Sequence, residues 1–239
     1  LEKDMKLADV IHHDYNLIPV ISRFGIMLGF GDASIENICK KNKINTDFFL
    51  IILNAFHDPQ YLDKNYLQSF SVTLLIDYLK ITHNYYLQNK IPEIEGLINK
   101  MASESEVNQV SYNLLQKFFE EYKNELIKHI AKEEDQVYPY VLDLENAVSE
   151  KLVSPALLSR IKEYSITSYE DEHDNVEEKL MDLKNIIIKY LPASKNQQTR
   201  YMLLKELTVL EKDLVDHARI EDLVLVPKVE ILEKLVTGN

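Results

Sequence analysis

Two copies of one short motif constrain the fold of this 239-residue chain more than any other feature. The motif is a histidine followed four residues later by a glutamate, and it occurs as His129-Ile-Ala-Lys-Glu133 and as His217-Ala-Arg-Ile-Glu221. Residues four apart lie on one face of an α-helix, and in both copies the rest of that face is apolar. An ionised carboxylate in such a core position is strongly unfavourable unless something compensates it, and a metal ion is the simplest candidate.

Two further histidines, His83 and His173, are spaced so that antiparallel helices would bring them level with these motifs. Residues level with each other on two antiparallel helices lie symmetrically about the connecting loop, so their midpoint falls in that loop. The three midpoints are 106, 152 and 195, and all lie in sequence typical of loops. The spacing therefore predicts an up-down-up-down four-helix bundle with six side chains at one level: His83, His129, Glu133, His173, His217 and Glu221.

Composition favours an all-α fold and narrows the classes of function. The chain has only five Gly and seven Pro, and long stretches carry apolar residues at helical spacing. Its formal net charge of −12 argues against nucleic acid as a partner, which would require a basic face. No apolar run is long enough to cross a membrane and the first residues do not resemble a signal peptide, so a cytoplasmic location is predicted. The single cysteine, Cys39, excludes an internal disulfide and a cysteine-rich metal site.

The sequence divides into a small N-terminal helical domain, residues 1–65, and the bundle, residues 70–239. Short helical patterns interrupted by glycines fill the first domain, and four long patterns fill the second. In the first domain, Ser34 is predicted to cap the third helix and Thr46 or Asp47 to cap the fourth.

The second and fourth helices of the bundle are related by an internal repeat, in which each residue of the first copy corresponds to the residue 88 positions later. Two copies of one helical hairpin, facing each other, form a symmetric frame for two metal ions. Prolines inside the helical patterns are expected to kink the first helix, at Pro92, and to bend or break the second and fourth. The corresponding residues of the repeat are His129 with His217, Glu133 with Glu221, Glu134 with Asp222, and Pro139 with Pro227.

Four imidazoles and two carboxylates suit a pair of iron or manganese ions, whereas a structural zinc ion needs only four ligands and often uses thiolates. If both glutamates bridge and each metal takes two histidines, an oxo or hydroxo bridge adds a fifth ligand. One position per metal then stays open for O2, NO, peroxide or water. Glu125, one turn before His129, and Glu172, beside His173, are candidates to accept a histidine N–H or to line an entry path.

These residues resemble a known metal-binding set. His83, His129-x3-Glu133, His173 and His217-x3-Glu221 resemble the ligands of hemerythrin-like domains. Their order and spacing are similar to those of the repair-of-iron-centres proteins, which are bacterial di-iron proteins tied to nitrosative and oxidative stress. Residues 8–36 resemble the small domain that precedes the bundle in that family. The resemblance implies a hemerythrin-like bundle with two iron ions that repairs iron–sulfur clusters or handles iron or NO, with damaged iron–sulfur proteins as partners.

The sequence departs from that family at one position and leaves alternatives open. Adjacent cysteines usually follow the Gly-Ile step in the family, but Gly29-Phe30 stands there in this chain.

The same centre would also serve a sensor of O2, NO or redox state, or an enzyme that reduces NO, O2 or peroxide. A helical interaction module without metal is the third alternative. The metal used in the cell, the small ligand, enzymatic activity and a homodimer are all left open by the sequence.

Overall fold

Helices make up most of the residues that the computed structural model describes, which are 1–58, 60–61, 70–103, 109–163, 166, 174–192 and 197–238. Apart from one isolated β-bridge between Lys6 and Ser34, these residues contain helices and turns, and the predicted all-α class is confirmed. The helices are α1 (Leu7–His13), α2 (Leu17–Arg23), α3 (Ile35–Asn42), α4 (Thr46–His57), α5 (Val72–Tyr85), α6 (Ile91–Ser103), α7 (Gln109–Lys132), α8 (Tyr138–Glu150), α9 (Pro155–Glu163), α10 (Asp174–Asn185), α11 (Gln197–Ile220) and α12 (Val226–Thr237).

Within the described residues, four π turns, in which the backbone N–H bonds five residues back instead of four, widen the long helices. Each π turn is followed by one residue and then by a proline. Proline has no N–H and its ring clashes with the carbonyl four residues back, so a wider turn accommodates it. The turns and their prolines are Tyr86–Lys90 with Pro92, Glu133–Val137 with Pro139, Ile186–Tyr190 with Pro192, and Glu221–Leu225 with Pro227.

The π turns correct one expectation from the sequence. Neither Pro139 nor Pro227 breaks its helix, because α7 runs through a π turn into α8 and α11 runs through another into α12. The residues on both sides of the first turn, Lys132 and Tyr138, keep right-handed helical dihedral angles. Both His-x3-Glu motifs therefore lie on continuous helices.

The chain divides into two compact units. The first comprises Leu1–Thr82, Leu142–Ile161 and Arg219–Asn239, and the second comprises His83–Val141 and Lys162–Ala218. The boundary at residues 218 and 219 falls inside the continuous helix α11. The division into residues 1–65 and 70–239 stays a prediction.

Aromatic packing holds the core of the first unit together. The ring of Phe24, just after α2, lies 4.9 Å from the ring of Phe49 on α4 and 5.0 Å from that of Tyr78 on α5, between centroids. Phe48 adds edge contacts to Phe24 and Tyr78. Phe48, Phe49 and Tyr78 are buried and Phe24 is half-buried. Rings of this size remove much apolar surface from water, so they attach α2, α4 and α5 to one another.

The helix caps of the first unit agree with the sequence at one position and differ at another. Ser34 caps α3 as predicted, since its Oγ accepts a hydrogen bond from a backbone N–H at 3.3 Å. The cap of α4 is Asn45, whose side chain accepts from the N–H of Phe48 at 3.0 Å, so the prediction of Thr46 or Asp47 was wrong. Asparagine is among the best N-cap residues, and the carboxylate of Asp47 is favourable inside the first turn instead.

The second unit is an antiparallel bundle of four helical segments. On α6 and α7, Asn99 bonds Gln116 at 2.8 Å and Glu95 bonds Lys123 at 3.2 Å, so sequence numbers fall on one helix as they rise on the other. Buried apolar side chains from all four segments form one core, as the predicted up-down-up-down order requires. The other neighbouring segments are joined by the ion pairs Lys90–Glu206, Lys179–Glu125 and Lys184–Glu211.

No helix among the described residues has the length and apolar character needed to cross a bilayer.

The start of α5 is held by a carboxylate from α8, which gives a test of the fold. Glu145 accepts from the N–H of Val72 at 2.7 Å, from the N–H of Thr73 at 3.3 Å and from Oγ1 of Thr73 at 2.7 Å. Replacing Glu145 with Ala should lower the free energy of unfolding by about 1–2 kcal/mol in urea denaturation, because the helix start loses these acceptors. Glu150→Ala, an exposed change on the same helix, should alter it by less than about 0.5 kcal/mol. Equal stability of Glu145→Ala and the wild type would contradict the capping role.

Candidate metal centre

Three of the six predicted residues meet within the bundle of the second unit. They are His83 near the end of α5, Glu133 at the start of a π turn, and His217 on α11. Nε2 of His83 lies 3.0 Å from Oε2 of Glu133 and 3.1 Å from Nε2 of His217. His83 and Glu133 are each 1% exposed and His217 is 5% exposed. The polar atoms of three different helical segments thus converge away from water.

A second buried carboxylate lies on the same continuous helix as His217. Glu221 lies one turn after His217 on the continuous helix and is 0% exposed. The ligand atoms of His83, Glu133 and His217 all lie within 4.8 Å of one another. A buried carboxylate that stays ionised needs a compensating charge, and a cation supplies it. Imidazole and carboxylate donors without thiolate fit a transition-metal ion such as iron.

The two oxygens of Glu133 face different histidines. Oε2 lies 3.0 Å from Nε2 of His83, and Oε1 lies 2.9 Å from Nε2 of His129. His129 precedes Glu133 by one helical turn, and its side chain is 16% exposed. A carboxylate that offers one oxygen to each of two imidazoles is suited to bridge two metal ions, as carboxylates do in other helical bundles.

Glu134, which was not predicted as a site residue, contacts the other side of the His83 ring. Its Oε1 lies 2.9 Å from Nδ1 of His83, and its side chain is 34% exposed. An ionised carboxylate only accepts hydrogen bonds, so Nδ1 carries the proton and Nε2 is left to bind a metal. The sequence held a signal for this residue, because the repeat places another acidic residue, Asp222, at the equivalent position.

The remaining predicted residues have different outcomes. The carboxylate of Glu125, one turn before His129, forms an ion pair with Lys179 on α10. His173 and Glu172 lie outside the described residues, so their predicted roles stay predictions. The described residues therefore include three of the four predicted histidines and both predicted glutamates.

Two buried tyrosines border the histidines. The ring of Tyr138 is nearly parallel to that of His83, at 5.8 Å between centroids and an angle of 8°, and its hydroxyl lies 3.5 Å from Nε2 of His83. The ring of Tyr86 packs edge-on against His217 at 5.8 Å. The hydroxyl of Tyr86 donates to the carbonyl oxygen of Asp213 at 3.1 Å. The sequence selected neither tyrosine among the 14 in the chain.

The only cysteine of the chain does not replace the missing cysteine pair. Cys39 lies on α3 and is 0% exposed. Burial raises the pKa of its thiol to about 11, and a hydrogen bond with Thr46 offsets only part of that effect. The thiol therefore stays protonated near neutral pH, and a protonated thiol is a poor nucleophile and a poor metal ligand. The chain has no accessible thiolate to offer.

Comparisons with known proteins agree with this geometry. A family model described as Hemerythrin HHE cation binding domain matches residues 76–229, which include His83 and Glu221. The iron-sulfur cluster repair protein ScdA of Staphylococcus haemolyticus is 22% identical to this chain over 200 residues. That similarity covers 83% of this chain and 85% of the relative.

The contact between Glu134 and His83 predicts an effect on metal affinity. Glu134→Ala should weaken binding roughly 10- to 100-fold, because His83 loses the partner that fixes its ring and its Nδ1–H. Glu134→Gln keeps a carbonyl acceptor and should retain more of the affinity. Competition between the protein and a chelator for zinc measures the dissociation constants. Glu121→Ala, which removes a 60% exposed glutamate of α7, is the control. Equal affinities for Glu134→Ala and this control would show that Glu134 does not position His83.

Proposed function

Because this chain belongs to the hemerythrin HHE cation-binding domain family, we propose that its bundle holds two iron ions. Family membership confirms the resemblance seen in the sequence. Iron is preferred to manganese for the proposed role, and the imidazole and carboxylate donors fit either metal. The proposed ligands are His83, His129, Glu133, His173, His217 and Glu221.

The position of the Glu133 carboxylate is the observation that carries this proposal. Its oxygens lie 2.9 Å from Nε2 of His129 and 3.0 Å from Nε2 of His83. An ion at Oε1 would have His129 beside it, and an ion at Oε2 would have His83 and His217 beside it. Glu134 supports the second position, because it holds the Nδ1 proton of His83 and directs Nε2 inward. One carboxylate serving two histidines supports a pair of ions over a single ion.

The proposed activity is the repair of iron–sulfur clusters, or the handling of iron or NO, under nitrosative and oxidative stress. An iron pair supplies electron transfer and open positions for O2, NO or peroxide. This chain's residues hold the ions, orient the imidazoles and exclude bulk water, since Glu133 and Glu221 are at most 1% exposed. The relative from Staphylococcus haemolyticus, named for cluster repair, supports the assignment. Damaged iron–sulfur proteins would then be the partners.

Location and organisation are part of the same proposal. The protein would act in the cytoplasm, where iron–sulfur enzymes meet NO and peroxide. Residues 1–65 would form a small helical domain and residues 70–239 the iron-binding bundle. Because Cys39 is buried and its thiol pKa is raised to about 11, the exchange of iron would depend on the bundle and not on thiols of this chain.

Metal content tests the ligand assignment. The wild type, expressed with added iron, should hold about two irons per chain and show oxo-bridge absorption in the near-ultraviolet. Glu133→Ala should lose metal and lower the unfolding midpoint together, because bound metal stabilises the fold by linkage. Glu121→Ala should retain both. Unchanged iron in Glu133→Ala and in Glu221→Ala would contradict the bridging assignment, and one zinc per chain would contradict the iron pair.

A reconstitution assay tests the proposed activity. An iron–sulfur hydratase inactivated with NO should regain activity when the iron-loaded protein is added, and regain less with free ferrous iron at the same concentration. Glu133→Ala protein controls for effects of the polypeptide alone. Failure to restore the hydratase, combined with consumption of NO or peroxide in the presence of an electron donor, would favour a reductase. Failure combined with a ligand-dependent change in protease sensitivity would favour a sensor.

A further inference from the structure

The π turn after α7 brings Tyr138 onto the same face as Glu133. The N–H of Tyr138 bonds to the carbonyl oxygen of Glu133, five residues back. In an α-helix, residues five apart point about 140° away from each other. In a turn closed five residues back, the later residue lies nearly above the earlier one. Pro139 is the next residue and is accommodated by this wider turn.

The hydroxyl of Tyr138 is close to the atoms that would bind metal. It lies 3.5 Å from Nε2 of His83, the nitrogen that also faces Glu133 and His217. Tyr138 is 0% exposed, and its ring lies parallel to the imidazole. Because Glu134 accepts the proton of Nδ1, Nε2 presents a lone pair and the phenol is the donor in this contact. A metal ion at Nε2 would take that lone pair and leave the phenol proton directed at the ion's surroundings.

We propose that Tyr138 donates a hydrogen bond to a small anionic or diatomic ligand bound at the metal centre and thereby raises the affinity for that ligand. The inference rests on the proposed iron centre. An ordinary phenol keeps its proton at neutral pH, so it is a donor throughout the physiological range. A hydrogen bond to an anion in a site removed from water is stronger than the same bond in water. Ligands that accept a hydrogen bond, such as azide or peroxide, are the class that the site favours.

The internal repeat indicates that the fold does not require a tyrosine at this position. Val226 is the equivalent residue after the π turn that begins at Glu221, and its N–H bonds to the carbonyl oxygen of Glu221 in the same way. Val226 is also buried, at 2% exposed. A valine therefore satisfies the backbone of a turn of this kind, so the π turn alone does not account for the tyrosine hydroxyl beside His83.

Azide binding to the oxidised, iron-loaded protein tests the proposal. Tyr138→Phe should raise the dissociation constant for azide, followed by visible absorption, roughly 3- to 10-fold through the loss of one hydrogen bond. Iron content and the unfolding midpoint should stay at their wild-type values. Tyr122→Phe is the matched control, because Tyr122 is also 0% exposed but lies seven residues before His129 on α7. Its azide affinity should match that of the wild type.

Several outcomes would overturn the inference. Equal azide affinity in Tyr138→Phe and the wild type would do so, and so would an equal weakening in Tyr122→Phe. If Tyr138→Phe holds less iron, a second measurement on the wild-type protein tests the hydrogen bond. The vibrational frequency of azide bound to the wild type should shift between H2O and D2O. The absence of a shift would refute the hydrogen bond. Wild-type protein without iron or an azide band would instead refute the proposed centre itself.

Discussion

A carboxylate placed where a bundle needs an apolar side chain is the constraint on which this structure depends. Glu133 is 1% exposed and meets an imidazole on each oxygen. A lone carboxylate at that depth would lose several kcal/mol or more of solvation, so the neighbouring segments must supply compensating partners at the same level. The antiparallel order of the helices and the inward position of His83 both meet that requirement. A bound cation completes the compensation, because imidazoles alone leave the negative charge of two buried glutamates in place.

The sequence predicted most of this arrangement because levels in an antiparallel bundle are set by topology. The spacing of His83, His129 and Glu133 about their loop was enough to predict that they lie close together, and no information on side-chain packing was needed. The sequence could not identify Tyr138 as a neighbour of the site, because a regular α-helix would place its side chain on a different face from that of Glu133. A run of residues with helical propensity does not reveal where one turn widens. Proline is a partial signal, but it is equally consistent with a kink or a break.

Two neighbouring residues of one turn have different contacts with the ring of His83. Glu133 and Glu134 are adjacent in sequence and reach opposite nitrogens of the same ring. The carboxylate of Glu133 is buried and faces Nε2, whereas that of Glu134 is 34% exposed and accepts the proton of Nδ1. The small N-terminal helices, in contrast, contribute a packed aromatic core and a buried, protonated Cys39. The reactive groups of this protein are therefore concentrated in the long helices.

The π turns also affect how this chain should be compared with distant relatives. Each such turn contains about one residue more than an α-helical turn. Gain or loss of one codon at Glu133–Val137 is therefore the smallest genetic change that rotates the following side chains relative to His129 and Glu133. An alignment without a gap there would pair residues that point in different directions in a relative lacking the turn. Because Pro139 favours the wider turn, its presence or absence indicates which alignments need that gap.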